Sequence, residues 1–372
     1  MGRPNKTVGL AHGAQDAQDA QVVRLRNAVG QALAGRRCVL AVSGGVDSMV
    51  LLDAAVATTP VPSLVVASFD HGTGSSATRA VAHVAREAAR RGVRFVTGTM
   101  AEYADRTPDR PRGDGAEATW RHARWAFLRT VAAEIGVGEE GGEVQIATAH
   151  TQDDQIETVF MRALRDAGPR GLAALYAPSP VLRPLLDISR REIEKYAEML
   201  KVKFVIDPSN ASRVHLRNRV RHDLLPAIVR QRPGFATELL TLSHRAAEWR
   251  ARMDAVAASF TLMTDVTGSL HIPRAQLGEL TADALRALWP ALAARGGVVM
   301  DWRGTHRLAA FTIEGEPGQS IQLSGGFEVV MRRESMVLRR WRRASAHARP
   351  RRVSRESRGA RDARDEQSDA GR

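Results

Sequence analysis

The sequence predicts an α/β protein: a parallel-sheet domain over residues 21–212, then a mainly helical region with a small α+β piece at its end, over 213–341. Three observations predict it. Short apolar runs alternate with helix-like stretches through the first half, at the spacing of βα units. Three polar clusters, at 43–48, 70–72 and 150–157, stand just past apolar runs, where the strands of an open parallel sheet present ligand sites. After about residue 212 these runs give way to Leu, Ile and Ala stripes at helical spacing.

The elements follow in order. Residues 1–20 are small and polar without periodicity and read as disordered. Val22, Leu25, Val29 and Leu33 recur at helical spacing and give a helix over 21–34. The run 38–42 is a buried strand, 48–56 an apolar helix, and 64–69 a second strand that ends at Asp70-His71-Gly72. A helix over 77–91 and a strand over 94–99 come next. Two prolines, two glycines and many charges make 101–116 a mobile loop. A helix over 117–135, a strand over 145–149, a helix over 151–167 and a fifth strand over 181–186 complete the domain. Beyond it, 214–230, 235–260 and 281–295 read as helices. The stretches 320–323, 328–332 and 336–340 read as short strands, with Gly325-Gly326 as a turn. Residues 342–372, rich in Arg and poor in apolar side chains, read as a disordered tail.

Composition narrows the function classes. The net charge of +13 points to a polyanionic partner such as nucleic acid. It is uneven: residues 339–372 hold 12 Arg against 5 acidic residues, so +7 of the +13 sits in that stretch. The single cysteine, Cys38, lies in an apolar run, which excludes an internal disulfide or a Cys-based metal cluster and makes a core residue of it. No apolar run approaches the ~18 residues that span a bilayer. The first residues are polar, and Lys6 stands where a myristoylation signal carries Ser or Thr. The expectation is a cytoplasmic protein with no membrane partner; a homodimer is left open.

Ser43-Gly44-Gly45-Val46-Asp47-Ser48 lies between a strand and a helix. Two glycines let the backbone turn sharply and bring N–H groups close to an anion. The following helix N-terminus adds partial positive charge, and Ser43 and Ser48 supply hydroxyl donors. Asp47 would repel a phosphate, a conflict that a divalent cation resolves, so Asp47 is assigned to Mg²⁺. The loop has no lysine and no Gly-x-x-x-x-Gly-Lys-Ser/Thr, so it is not a Walker P-loop. The bland alternative is a turn in which Asp47 and Ser48 are ordinary first-turn helix residues.

The loop is similar to the SGGxDS loop of the PP-loop (N-type) ATP pyrophosphatases, which cleave ATP between the α- and β-phosphates. Within that superfamily the chain resembles the tRNA(Ile)-lysidine synthases over about residues 35–230, and more weakly to about 340. Five stretches carry the resemblance. They are the loop with its lead-in Ala41-Val42; Asp70-His71-Gly72; Glu117-Ala118-Thr119-Trp120-Arg121-His122-Ala123-Arg124-Trp125; His150-Thr151-Gln152-Asp153-Asp154-Gln155-Ile156-Glu157-Thr158; and Arg183-Pro184-Leu185-Leu186, followed by Asp207-Pro208-Ser209-Asn210 and Arg217-Asn218-Arg219-Val220-Arg221. They resemble the loop, DHG, ExxARxxRY, HxxDDQxET, RPLL, DPSN and RNRIR motifs in family order. Trp120, Trp125, Ala149, Asp166 and Thr73-Gly74 depart from the family pattern.

The resemblance implies an adenine-nucleotide-hydrolase-like catalytic domain that joins lysine to C2 of the wobble cytidine (position 34) of the CAU-anticodon isoleucine tRNA. ATP and Mg²⁺ are the implied cofactors; L-lysine and that tRNA are the implied partners. ATP contacts are carried over to Ser43, Gly44, Gly45, Val46, Asp47, Ser48, Asp70 and His71. Lysine binding or catalysis is carried over to Asp154 and Glu157, with Asp153, His150, Arg121 and Arg124.

The residue types suit these roles. Asp154 and Glu157 are three apart on a helix and share a face, able to clamp an ammonium; the alternative is first-turn acids favouring the helix dipole. Arg121 and Arg124 are also three apart and fit a phosphate or carboxylate, or form a solvated basic face. His71 and His150 fit nucleotide or base contacts, or structural hydrogen bonds. Arg213, Arg217, Arg219, Arg221 and Arg230 form a stripe suited to a tRNA backbone, or an exposed helix face. Rival readings are a PP-loop tRNA thiolase, which a lone Cys38 disfavours, an amide-forming synthetase using free ammonia, and a nucleotide sensor without chemistry.

Overall fold

The computed structural model describes residues 6–72, 74–103, 116–137, 143–207 and 212–341. The first domain runs α1 (Lys6–Leu33), β1 (Arg37–Ala41), α2 (Val46–Thr58), β2 (Leu64–Asp70), α3 (Ser75–Arg90), β3 (Arg94–Thr99), a single turn α4 (Met100–Tyr103), α5 (Ala116–Val137), β4 (Val144–Thr148), α6 (Gln152–Ala163), a second short turn α7 (Pro169–Leu172), β5 (Val181–Leu182) and α8 (Arg190–Met199). The five strands are parallel in the order β3-β2-β1-β4-β5.

Strand residues alternate between two buried layers, as the two-residue period of a strand requires. Cys38, Leu40, Leu64 and Val66 face a core shared with α1, α2, α3 and α8. Val39, Val65, Ala67 and Phe69 face Phe127, Leu128 and Val131 of α5. The chain leaves β1 towards β2 on one side and returns to β4 on the other. The switch point of the sheet therefore falls between β1 and β4, where ligands bind in open α/β sheets. Both strands end at polar clusters singled out in the sequence.

The second region runs α9 (Leu216–Arg219), a π-turn (Val220–Leu224), α10 (Leu225–Gln231), α11 (Phe235–Ala258), β6 (Met263–Thr264), β7 (Leu270–Pro273), α12 (Ala282–Arg295), α13 (Trp302–Glu314), β8 (Ser320–Leu323), β9 (Phe327–Met331) and β10 (Ser335–Arg340). Its antiparallel sheet, ordered β6-β7-β10-β9-β8, packs on α12 and α13 around Trp289, Leu292, Leu308 and Val329. Val220, Leu225 and Leu239 meet Val159 and Phe160 of α6 and join the two regions. No helix among the described residues is long and apolar enough to cross a membrane.

Several elements differ from expectation. Residues 6–20 are helical rather than disordered: α1 starts at Lys6, through an Ala- and Gln-rich stretch whose intrinsic helix propensity outweighs its lack of apolar periodicity. The fifth strand stops at Leu182, since the nearby Pro184 cannot donate to a ladder. The helix expected over 214–230 contains the π-turn. α8, α13, β6 and β7 were not anticipated. Of the loop expected over 101–116, α4 takes the first residues and α5 the last; 104–115 lie outside the described residues, as do 1–5 and the tail 342–372.

Candidate active site

The loop after β1 is shaped by Gly44, whose φ of +89° is the left-handed region that favours glycine. A Cβ there would also lie 3.1 Å from Cβ of Ala80. The Gly44 carbonyl accepts the Val205 N–H at 2.9 Å, tying the loop to the segment after α8. Gly45 is the N-cap residue of α2 with no side chain to close its first turn, which leaves N–H groups available to an anion. Ser48 Oγ donates to the Gly45 carbonyl at 2.9 Å and accepts the Ser43 N–H at 3.2 Å; the two serine hydroxyls are 3.3 Å apart.

Two cavities open on this loop. The smaller, about 170 Å³, is lined by Ser43, Gly45, Asp47 and Ser48 together with His71, Arg124 and His150. The larger, about 650 Å³, is lined by Ser43, Gly45, Val46 and Asp47 with Asp153, Glu157, Arg190 and Arg221. Asp47 borders both. Its Oδ2 meets Arg190 Nη1 at 3.4 Å, while its Oδ1 is buried with no hydrogen-bond partner. Burial pushes its carboxyl up to about 6, against the pull of Arg190. Among the described residues no three His, Cys, Asp or Glu side chains gather to hold a metal ion by themselves. One unpartnered carboxylate oxygen beside a phosphate-type loop fits Mg²⁺, which commonly takes one or two protein carboxylates and completes its shell from phosphates and water.

The three groups around the smaller cavity have perturbed proton affinities. Burial holds His150 down to about 4 despite the nearby Asp154, so its imidazole is neutral at pH 7; its Nδ1 lies 2.8 Å from Thr148 Oγ1. Burial and Arg124 also lower His71, whose Nδ1 is buried without a partner. Arg124 is desolvated beside Arg121 and Arg217, which lowers its proton affinity, and its Nε is unpartnered as well. The cavity therefore presents one guanidinium and two uncharged imidazoles beside the Asp47 carboxyl.

Thr151 starts α6 with a reciprocal capping box: Asp154 N–H donates to Thr151 Oγ1, and Thr151 N–H to Asp154 Oδ2 at 2.9 Å. This aims Asp154 Oδ1 and the buried Glu157 the same way. Both are met by arginines from the second region. Arg217 donates to Asp154 at 2.6 Å and to Glu157 at 3.1 Å; Arg221 donates to Asp154 at 3.1 Å and, through Nη2, to Glu157 at 2.9 Å. Burial alone would raise Asp154, but Arg217, the Thr151 N–H and Arg221 outweigh it and hold the carboxyl below its usual range.

The arginine stripe is thus split. Arg213, Arg219 and Arg230 are exposed, Arg213 pairing with Asp223, whereas Arg217 and Arg221 turn inward. Three other expected side chains line neither cavity: Asp154, held by Arg217 and Arg221, together with Asp70 and Arg121. The Asp70 oxygens accept from Gly72 N–H at 2.8 Å and Thr78 Oγ1 at 3.1 Å. Arg121 is exposed. Asp153 separates from its neighbour Asp154 and accepts the Arg190 N–H at 2.7 Å. Arg190 was missed in the sequence. The signal was there in Ser189-x-x-Glu192, a capping box that starts α8 and brings Arg190 to Asp47.

A PP-loop domain family model matches residues 17–228. The tRNA(Ile)-lysidine synthase of Burkholderia pseudomallei (strain K96243) is 34% identical over 258 residues, a match that covers 67% of this chain and 48% of that protein. The chain thus spans about half the length of that relative. Two shorter relatives of the same name are covered further: that of Salinispora tropica, 33% identical over 71% of this chain and 75% of its own, and that of Salinispora arenicola, 31% identical over 76% and 81%. With a phosphate loop at the switch point of a parallel sheet and relatives covered over three quarters of their length, the chain belongs to the tRNA(Ile)-lysidine synthase family of PP-loop proteins.

Proposed function

We propose that the protein ligates lysine to C2 of the wobble cytidine of the CAU-anticodon isoleucine tRNA at the expense of ATP. The observation that carries this reading is the pairing of one phosphate-type loop with two cavities of different chemistry. One sets a guanidinium and two neutral imidazoles beside the Asp47 carboxyl, fit for an α-phosphate with its cation and a base. The other borders carboxylates that already accept cations. In the first step the cytidine C2 oxygen attacks the α-phosphorus; an O–P bond forms, the α–β bridge breaks and pyrophosphate leaves. In the second, the lysine ε-amine attacks C2, the C2–O bond breaks and AMP leaves.

The N–H groups and hydroxyls of 43–48 bind the pyrophosphate. Asp47 would hold Mg²⁺ through its unpartnered Oδ1, and the ion would neutralise phosphate charge there. Arg124 faces charge that develops on the α-phosphate, in a desolvated setting where such contacts are strongest. Asp154 and Glu157 seat the lysine ammonium, in the place now taken by guanidinium groups. The amine sheds its proton before attack, because only the neutral form is nucleophilic. A sulfur-transfer reading has no support in Cys38, whose thiol is 1% exposed and pushed by burial up to about 11.

The test is incubation with ATP, labelled lysine and bulk bacterial tRNA. Label is expected in tRNA, and tRNA-dependent ATP–pyrophosphate exchange is expected to vanish in Asp47→Ala but survive in Asp154→Ala, which blocks lysine transfer. Absence of label across a range of Mg²⁺ concentrations sinks the proposal.

A further inference from the structure

A third cavity, about 820 Å³, lies away from the phosphate loop, where the end of α6 and α7 face α11, α12 and the start of α13. Arg162, Arg165, Arg250 and Trp302 line it. Arg162 donates to the Gly171 carbonyl at 2.6 Å and meets no carboxylate among the described residues. Arg165 is exposed. Arg250 reaches Asp254 only at 3.6 Å, and Asp254 is already held by Arg170 at 2.6 Å. Of the acids that line the cleft, Asp283 pairs with Arg286, Asp301 caps α13 and accepts from Ser324, and Asp166 is exposed, so arginines outnumber them. Trp302 is 51% exposed and rests on His306, with ring centroids 4.1 Å apart.

Two further arginines, Arg183 and Arg121, meet no carboxylate among the described residues. Arg183 donates to the Leu175 carbonyl and Ser179, with its Nε unpartnered. Arg121 lowers the proton affinity of Arg124, Arg183 and Arg162 alike, and Arg250 that of Arg162, so these guanidinium groups are near enough to repel one another. Some arginines elsewhere are paired: Arg91 with Glu87 and Asp53, and Arg217 and Arg221 with Asp154 and Glu157. Partly buried like charges without counter-charges are costly unless an anion joins them. A single phosphate would neutralise one or two of them. Several neighbouring guanidinium groups suit a strand of regularly spaced phosphates, and an exposed indole in the same cleft suits a stacked base.

We infer that the RNA substrate lies along these arginines, from Arg124 through Arg121 and Arg183 to the cleft, with its backbone on Arg162 and Arg165 and an unpaired base on Trp302. The inference rests on the proposed function and gives the RNA a surface separate from the exposed arginines of α9 and α10.

Filter binding of an isoleucine tRNA transcript to the full chain over a KCl series tests it. Arg162→Glu/Arg165→Glu is expected to weaken binding by ten-fold or more at 0.1 M KCl, and to flatten the salt dependence of log K by about one to two units. Trp302→Ala is expected to weaken binding about five-fold or more with the slope unchanged. Arg36→Glu, at the opposite end of β1, is expected to do little, and ATP affinity is expected to stay the same throughout. If the double reversal fails to fold, Arg162→Gln is expected to move in the same direction by a smaller factor. RNA binding in folded variants that matches the wild type in strength and slope overturns the inference, even where lysine transfer proceeds. A wild-type chain that binds no tRNA at any salt overturns the proposed function itself.

Discussion

Asp47 is a carboxylate held with one oxygen unpartnered, at a cost to the fold. Its pKa is raised to about 6 from an ordinary 3.8, so the folded protein holds the proton more tightly than the unfolded chain. Stability therefore falls as pH rises from about 4 to about 6, and the penalty is complete above that. Asp47→Asn is expected to melt higher than the wild type at pH 7.5, by on the order of 1–3 kcal/mol, with the difference gone at pH 4 and exchange activity absent throughout. Paired thermal melts check this. Wild-type activity is expected to fall as pH drops through about 6, when the carboxyl takes up its proton. Glu157 is the opposite case, a carboxylate whose loss leaves two guanidinium groups under-compensated. Glu157→Gln is expected to cost about 2 kcal/mol or more in urea unfolding. At this scale the sequence was legible in residue types. It was silent on partners: Arg217 and Arg221 stand 60 or more residues from Glu157, and a solvated stripe and an inward ion pair have the same spelling.

At the scale of elements, periodicity recovered the strand–helix alternation because β1 and β2 are buried on both faces and read as unbroken apolar runs. It failed where packing overrode local pattern. α8 has its buried face in Ile193, Tyr196 and Ala197 amid charged residues, a stripe too narrow to stand out. The π-turn cannot be read from composition at all. Gly98 on β3 is a further feature visible only in three dimensions: a Cβ there would fall 2.5 Å from the Phe127 ring of α5. Gly98→Ala is expected to destabilise the sheet by about 1–3 kcal/mol through overpacking, measurable as a lowered urea midpoint with an unchanged m-value.

At the scale of the whole molecule, the two regions meet through Val220, Leu225 and Leu239 on α6, the helix that also carries Asp154 and Glu157. The candidate site is therefore shared between regions, although its motifs lie mostly in the first. The loop was legible because its residues are contiguous in the chain; the switch point was not, since it depends on the strand order β3-β2-β1-β4-β5. The arginine cluster was not either, since α5, α6, α11 and the segment after β5 contribute one or two residues each and no stretch of sequence contains it. Arg217 and Arg221 have one more consequence. Covalently attached to the same chain, they meet Asp154 and Glu157 at an effective concentration of roughly millimolar or above, so any free ammonium arriving there is a dilute competitor. Arg217→Ala is expected to tighten lysine binding in the absence of RNA, as read by calorimetry. In the intact protein those carboxylates become available only as fast as their tethered occupants let go.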